Sequence, residues 1–226
     1  MSTRIFFVAL SLLLSLRAHA QMAGEEAGLF ESPAKSEALL ELHQLFTRDG
    51  KNTENLQATF QQTRTITMLS RPLISSGQFY FFPGKGLCWD TSKPFRSTTL
   101  ITRREIITSN SRGEKTRIPQ HKVPQLASLM QTMDNLFSGS PDGLQNEFDV
   151  FMQKHDGNGW ALGLVPKKKT FRKMISRIRI EGLGRHVNSF TLEEASGDRA
   201  HITFAHHQPL VSSIPKEWYA ALDLQP

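Results

Sequence analysis

The sequence predicts a mainly β protein with a few helices (α+β), in which an antiparallel sheet of about ten strands curls over two helices. Three observations predict it. From residue 55 onward apolar and polar residues alternate with period two, the pattern of strands that bury one face. Clusters of Gly, Pro, Asn, Asp and Ser separate these runs at short intervals, which joins neighbours as antiparallel meanders. Two stretches, beginning near residues 33 and 122, switch to the 3.6-residue period of amphipathic helices.

At the N-terminus, Arg4, an apolar run over residues 5–16 and the A-x-A site Ala18-His19-Ala20 read as a cleavable secretory signal peptide, which places the protein in the periplasm. The run is shorter than the roughly 20 residues a membrane-spanning helix needs. No cysteine follows it, so no lipoprotein anchor is expected. Residues 21–34 read as a flexible leader and 35–226 as a single domain. After Pro33, the residues Ala38, Leu39, Leu42, Leu45 and Phe46 share one face of a helix of about four turns that Gly50 ends.

The first strand sets Leu56, Ala58 and Phe60 against Gln57, Thr59 and Gln61, with Ile66 and Met68 on the same parity, and Arg71-Pro72 breaks it. Residues 73–82 form the second, with Gly77, Phe79 and Phe81 on one side and Gln78, Tyr80 and Phe82 on the other. Pro83-Gly84-Lys85-Gly86 turns into a third strand at 87–91, and Ser92-Lys93-Pro94 into a fourth at 95–101. Two shorter strands follow at 104–110 and 115–118. In the second helix, over 122–138, Leu126, Leu129, Met130, Met133, Leu136 and Phe137 mark one side. Strands resume at 147–154 and 160–165, around the turn His155-Asp156-Gly157-Asn158-Gly159, and continue at 175–181, 186–194 and 199–205.

Composition narrows the function. The formal net charge of +6 falls once Arg4 and Arg17 leave with the signal peptide, and the remainder is spread out, so no nucleic-acid footprint is present. Cys88 is the only cysteine, which rules out an intrachain disulfide and leaves stability to a hydrophobic core. Beside Trp89 in a strand, it reads as a packed thiol. No G-x-S-x-G, H-E-x-x-H, Walker or G-x-G-x-x-G motif occurs, and no catalytic residues are assigned. His206 and His207 are adjacent on a strand and point to opposite faces, so no metal site is expected. Glu193 and Glu194 alternate in the same way. Lys167, Lys168, Lys169, Arg172 and Lys173 crowd one loop after Pro166, either as a solvated hairpin tip or as a docking patch for anionic headgroups or an acidic partner. The aromatic residues Phe60, Phe79, Phe81, Trp89, Phe95, Phe151, Trp160, Phe190 and Phe204 all fall in strand positions, where they fill a core or line a cavity.

Several stretches taken in order resemble the LolA-like family of periplasmic outer-membrane lipoprotein carriers. They are Phe60-Gln61-Gln62-Thr63-Arg64, then Ser76-Gly77-Gln78-Phe79-Tyr80-Phe81-Phe82-Pro83, then Leu87-Cys88-Trp89 and Lys93-Pro94-Phe95. Later agreement lies at Trp160 to Lys167, at Ile178-Arg179-Ile180 with Gly182, and at Gly197-Asp198 before Ile202-Thr203-Phe204. The resemblance spans about residues 37–205. It implies a half-open antiparallel barrel of about eleven strands under a helical lid, holding lipoprotein acyl chains in an apolar cavity, without cofactor or catalysis. Phe60, Phe79, Phe81, Trp89, Leu129, Met133 and Trp160 are the expected wall and lid. A carrier of this type acts as a monomer that takes cargo from an inner-membrane releasing complex and hands it to an outer-membrane receptor. The best-known carriers place an Arg before the Pro that ends the second strand, where it holds the lid closed. Here the pair is Phe82-Pro83, with Lys85 the nearest cation, so the chain is similar to a divergent branch whose cargo can be another lipid. The alternative is a non-catalytic envelope module with a filled interior that docks through the basic loop.

Overall fold

The computed structural model describes residues 28–47, 55–123, 144–210, 214 and 216–222. Eleven strands build one antiparallel sheet. The first six are β1 (Leu56–Thr65), β2 (Leu73–Phe82), β3 (Gly86–Lys93), β4 (Ser97–Thr102), β5 (Glu105–Ser109) and β6 (Lys115–Pro119). The others are β7 (Phe148–His155), β8 (Gly159–Pro166), β9 (Ile175–Leu183), β10 (His186–Glu194) and β11 (Arg199–Pro209). Among the described residues the α-helices are α1 (Ser36–Thr47), the single turns α2 (Leu144–Glu147) and α3 (Lys169–Arg172), and α4 (Lys216–Ala221). Among the described residues no helix is long and apolar enough to cross a membrane.

The spatial order is β6-β5-β4-β3-β2-β1-β11-β10-β9-β8-β7, two meanders joined where β1 pairs with β11. β6 and β7 are edges, so the sheet does not close. A twist of about 20–25° between neighbours accumulates over ten steps to more than half a turn, which curls so wide a sheet. Residues 120–147 carry the chain from one edge to the other. Most of the expected second helix, with Leu129 and Met133, lies outside the described residues.

Register decides which residues share a face. Phe60 faces Gly77 and Phe204, Phe79 faces Ala58 and Trp89, and Phe81 faces Leu56 and Leu87. Across the second meander Ile202 faces Phe190, Phe190 faces Ile180, and Ile180 faces Leu162. The apolar side chains among these form one cluster, with Leu56 and Trp89 packed at its border and Leu39 of α1 joining it, and we call this the inner face. Phe82, Cys88 and Leu100 point the other way and pack under Ile214, Trp218 and Leu222. The run Phe79-Tyr80-Phe81-Phe82 is therefore apolar at every position because β2 is covered on both sides.

Two of the expected strands end differently. β1 stops at Thr65 rather than running through Met68, because Leu69 N–H turns back to the Ile66 carbonyl at 2.8 Å and Thr67 is held by Asp198 of the next turn. β4 starts at Ser97, and Phe95 stands exposed in the turn before it. There Thr91 pairs with Ser97, and Pro94 has no N–H to give to a ladder.

Candidate functional site

Phe60, Phe79, Phe81, Trp89 and Trp160, five of the seven residues expected to form the wall and lid, lie on the inner face. Phe79 sits between Trp89 and Phe204 with ring centroids 5.0 Å from each, a tilted geometry aromatic rings favour. Trp160 lies over Gly182, where any Cβ would meet the indole ring, and its Nε1–H donates to the Gly184 carbonyl at 2.8 Å. Phe60, Phe79, Phe81 and Trp160 are almost fully covered, while Trp89 is only partly buried. The Trp89 Nε1 atom is buried with no hydrogen-bond partner among the described residues.

The inner face carries few polar groups. Gln62 and Arg64 continue the Ala58 and Phe60 row of β1 and are buried. Arg64 Nη2 donates to Glu194 Oε1 at 3.1 Å, with the two side chains 4% and 10% exposed. Burial pushes the Glu194 carboxyl up, and nearby Arg64 only partly offsets this. The notion that Glu193 and Glu194 alternate across the sheet holds: Glu193 instead pairs with Arg177, and Arg177 in turn lies over the Phe30 ring at 5.0 Å. That face of β9 and β10 also carries Glu181, which burial pushes up but hydrogen bonds from Ser189 and Arg179 bring below its ordinary range.

The basic run is less free than its sequence suggests. Lys168 pairs with Glu147 at 2.8 Å, Arg172 pairs with Asp149 at 3.2 Å, and Lys167 Nζ donates to the Gln145 carbonyl at 2.6 Å. These partners come from α2 and β7, which the β7–β8 ladder places beside the loop. Lys169 and Lys173 are exposed, with no carboxylate partner among the described residues.

Cys88 is fully buried, and burial raises its thiol well above the ordinary value, as expected for an unreactive packed cysteine. Sequence reasoning missed a second histidine pair. His206 adopts a left-handed φ of 54°, and His207 stacks on His186 with centroids 5.0 Å apart. His207 Nε2–H donates to the Val187 carbonyl at 2.8 Å. Only the β10–β11 register could have shown that these residues meet.

Residues 34–206 match the family of outer membrane lipoprotein carrier proteins, LolA-like. No curated protein matches the chain. Among solved structures it is similar to a LolA superfamily protein from Nitrosomonas europaea, at 8% identity over 81% of this chain and 96% of that one, with a TM-score of 0.42. It is also similar to a DUF1329 family protein from Desulfovibrio piger (12% identity, 82% and 99% covered, TM-score 0.44). LprF from Mycobacterium bovis is a third (12% identity, 82% and 99% covered, TM-score 0.40).

Proposed function

Because the chain belongs to the LolA-like family of outer membrane lipoprotein carrier proteins, we propose that it is a non-catalytic periplasmic carrier that binds acyl chains of a lipoprotein or another lipid and shuttles them toward the outer membrane. One observation carries the reading: the wall aromatics of both meanders share a single apolar face of an open sheet, with Arg64–Glu194, Gln62 and Thr99 among its polar interruptions. Burying a saturated chain against such a face contributes about 0.8 kcal/mol per CH₂, so binding needs no polar motif. Phe60, Phe79, Phe81, Trp89 and Trp160 form the wall, and Leu129 and Met133 come from the lid. Cargo is taken from an inner-membrane releasing complex and passed to an outer-membrane receptor.

The near-complete covering of Phe60, Phe79, Phe81 and Trp160 favours a second reading, a filled envelope module that docks through residues 167–173. Native mass spectrometry of protein purified from its own periplasm, with extraction of whatever lipid accompanies it, separates the two. A bound acylated species, or uptake of an added fatty-acyl probe, is the expected result. A lipid-free mass with no uptake of the probe would sink the carrier reading in favour of the module.

A further inference from the structure

Among the described residues the most exposed large apolar side chain is Met68, at 94%, followed along the same turn by Leu69 at 48%. Both sit between β1 and β2, beyond the closing pair Arg64–Leu73. Phe95, 45% exposed, stands on the β3–β4 turn at the same end of the strands. The ladder places two more connections at that end. Thr65 pairs with Arg199, which brings the β10–β11 turn beside the Met68 turn, and Glu194 pairs with Ile175, which brings the end of the basic loop beside the β10–β11 turn.

Hydrogen bonds tie the Met68 turn, the β10–β11 turn and the end of the basic loop into one rim, and the Phe95 turn stands at the same end of the strands. Thr67 N–H and Oγ1 donate to Asp198 Oδ1 at 2.9 and 3.0 Å. Ala195 N–H donates to the Met174 carbonyl at 3.0 Å, one residue beyond Lys173. The apolar tip and the basic loop are thus parts of one hydrogen-bonded surface. Its exposed charge is mostly positive. Arg71, Lys93 and Arg96 are exposed on the two apolar-tipped turns, and Lys169 and Lys173 are exposed on the basic loop. Asp198, the carboxylate of the β10–β11 turn, accepts from Thr67 and keeps its charge, so the cations outnumber it rather than stand alone.

We propose that this rim docks on an anionic phospholipid surface, with Met68, Leu69 and Phe95 entering the boundary between headgroups and acyl chains and the cations facing lipid phosphates. Cations alone would suit an acidic protein equally well. The apolar residues decide between them, because they stand on the tips of separate turns rather than on a flat patch. A protein interface asks for about 800 Å² of complementary surface on each partner, whereas a bilayer accepts scattered wedges flanked by Lys and Arg. The proposal goes beyond the carrier reading and holds whether or not the inner face takes cargo.

The test is co-sedimentation of the whole secreted protein with vesicles of about three parts phosphatidylethanolamine to one part phosphatidylglycerol, against vesicles of phosphatidylcholine alone. Binding to the anionic vesicles only, weakened by added salt, is the expected result. The pair Met68→Asp and Leu69→Asp, made together, lowers that binding at least about tenfold, and so does the pair Lys169→Glu and Lys173→Glu. All four sites are exposed, so melting temperature and acyl-probe uptake stay unchanged in both variants, which separates failure at the rim from failure of the inner face. Absence of vesicle binding, or equal binding by both variants and the parent, overturns the proposal. Retention of an acidic protein without any vesicle binding overturns it in favour of a protein partner.

Discussion

At the scale of single residues, the inner face depends on how a few buried groups are matched. Arg64 and Glu194 share a nearly dry environment, where two charges are tolerable only together. Arg64→Met leaves Glu194 buried without its cation and is expected to lower stability by about 3 kcal/mol. Changing both, Arg64→Met with Glu194→Leu, restores most of that loss, since a well-packed apolar pair substitutes for a buried ion pair at little cost. Urea unfolding of both single variants and the double variant measures the coupling; strictly additive losses would mean the pair is not a unit. Gly182 is constrained for a steric reason. A methyl group there meets the Trp160 ring and the His186 carbonyl, so Gly182→Ala is expected to cost about 2 kcal/mol and to shift tryptophan fluorescence.

At the scale of elements, the sheet is clasped on its outer side by segments from both ends of the described chain. Phe30 lies on Gly163, where a Cβ would strike its ring, and beside Phe151 at a centroid distance of 5.5 Å. Trp218 of α4 meets Tyr80 at 5.4 Å, edge to face, above Phe82 and Cys88. Trp218→Ala removes this cover and is expected to cost about 3 kcal/mol. Cys88, buried and so expected to resist a thiol reagent in the parent, should then react at the rate of local opening; equal protection in both proteins would show that α4 does not guard it. These contacts mark the limit of what sequence can give. Alternation locates the strands well, since period two needs only neighbouring residues. It cannot say that Tyr80 and Phe82 are capped by residue 218, because that pairing spans most of the chain. It likewise extends β1 through Met68, because a hairpin tip whose exposed residues keep the parity of the strand looks like more strand. The ion pairs of Lys168 and Arg172 were hidden for the same reason, as they depend on where the β7–β8 ladder sets Glu147 and Asp149.

At the scale of the whole molecule, acidity acts on the seam where β10 and β11 come together. Burial lowers the His207 imidazole below its ordinary value, with His186 and His206 adding repulsion, and His186 is lowered by burial and by Arg185. A folded state that resists protonation loses stability relative to an unfolded chain that accepts it. Stability is therefore complete above the ordinary histidine value of 6.5 and falls as the pH drops below it. His207→Gln, which retains a donor to the Val187 carbonyl, is expected to flatten that acid slope; an unchanged slope would place the sensitive group elsewhere. The melting temperature also reports on the inner face. A ligand that binds the folded sheet and not the unfolded chain raises stability by about 2.7 kcal/mol at a hundred times its Kd. A lysophospholipid that packs against the Phe79–Phe204 layer should thus raise Tm in the parent. Phe79→Asp, which sets a charge in that layer, should abolish the shift, and it lowers the Tm of the ligand-free protein as well. A parent whose Tm does not move with added lysophospholipid would mean that the layer is closed by its own side chains, and that this member of the family keeps the sheet of a carrier without the space for cargo.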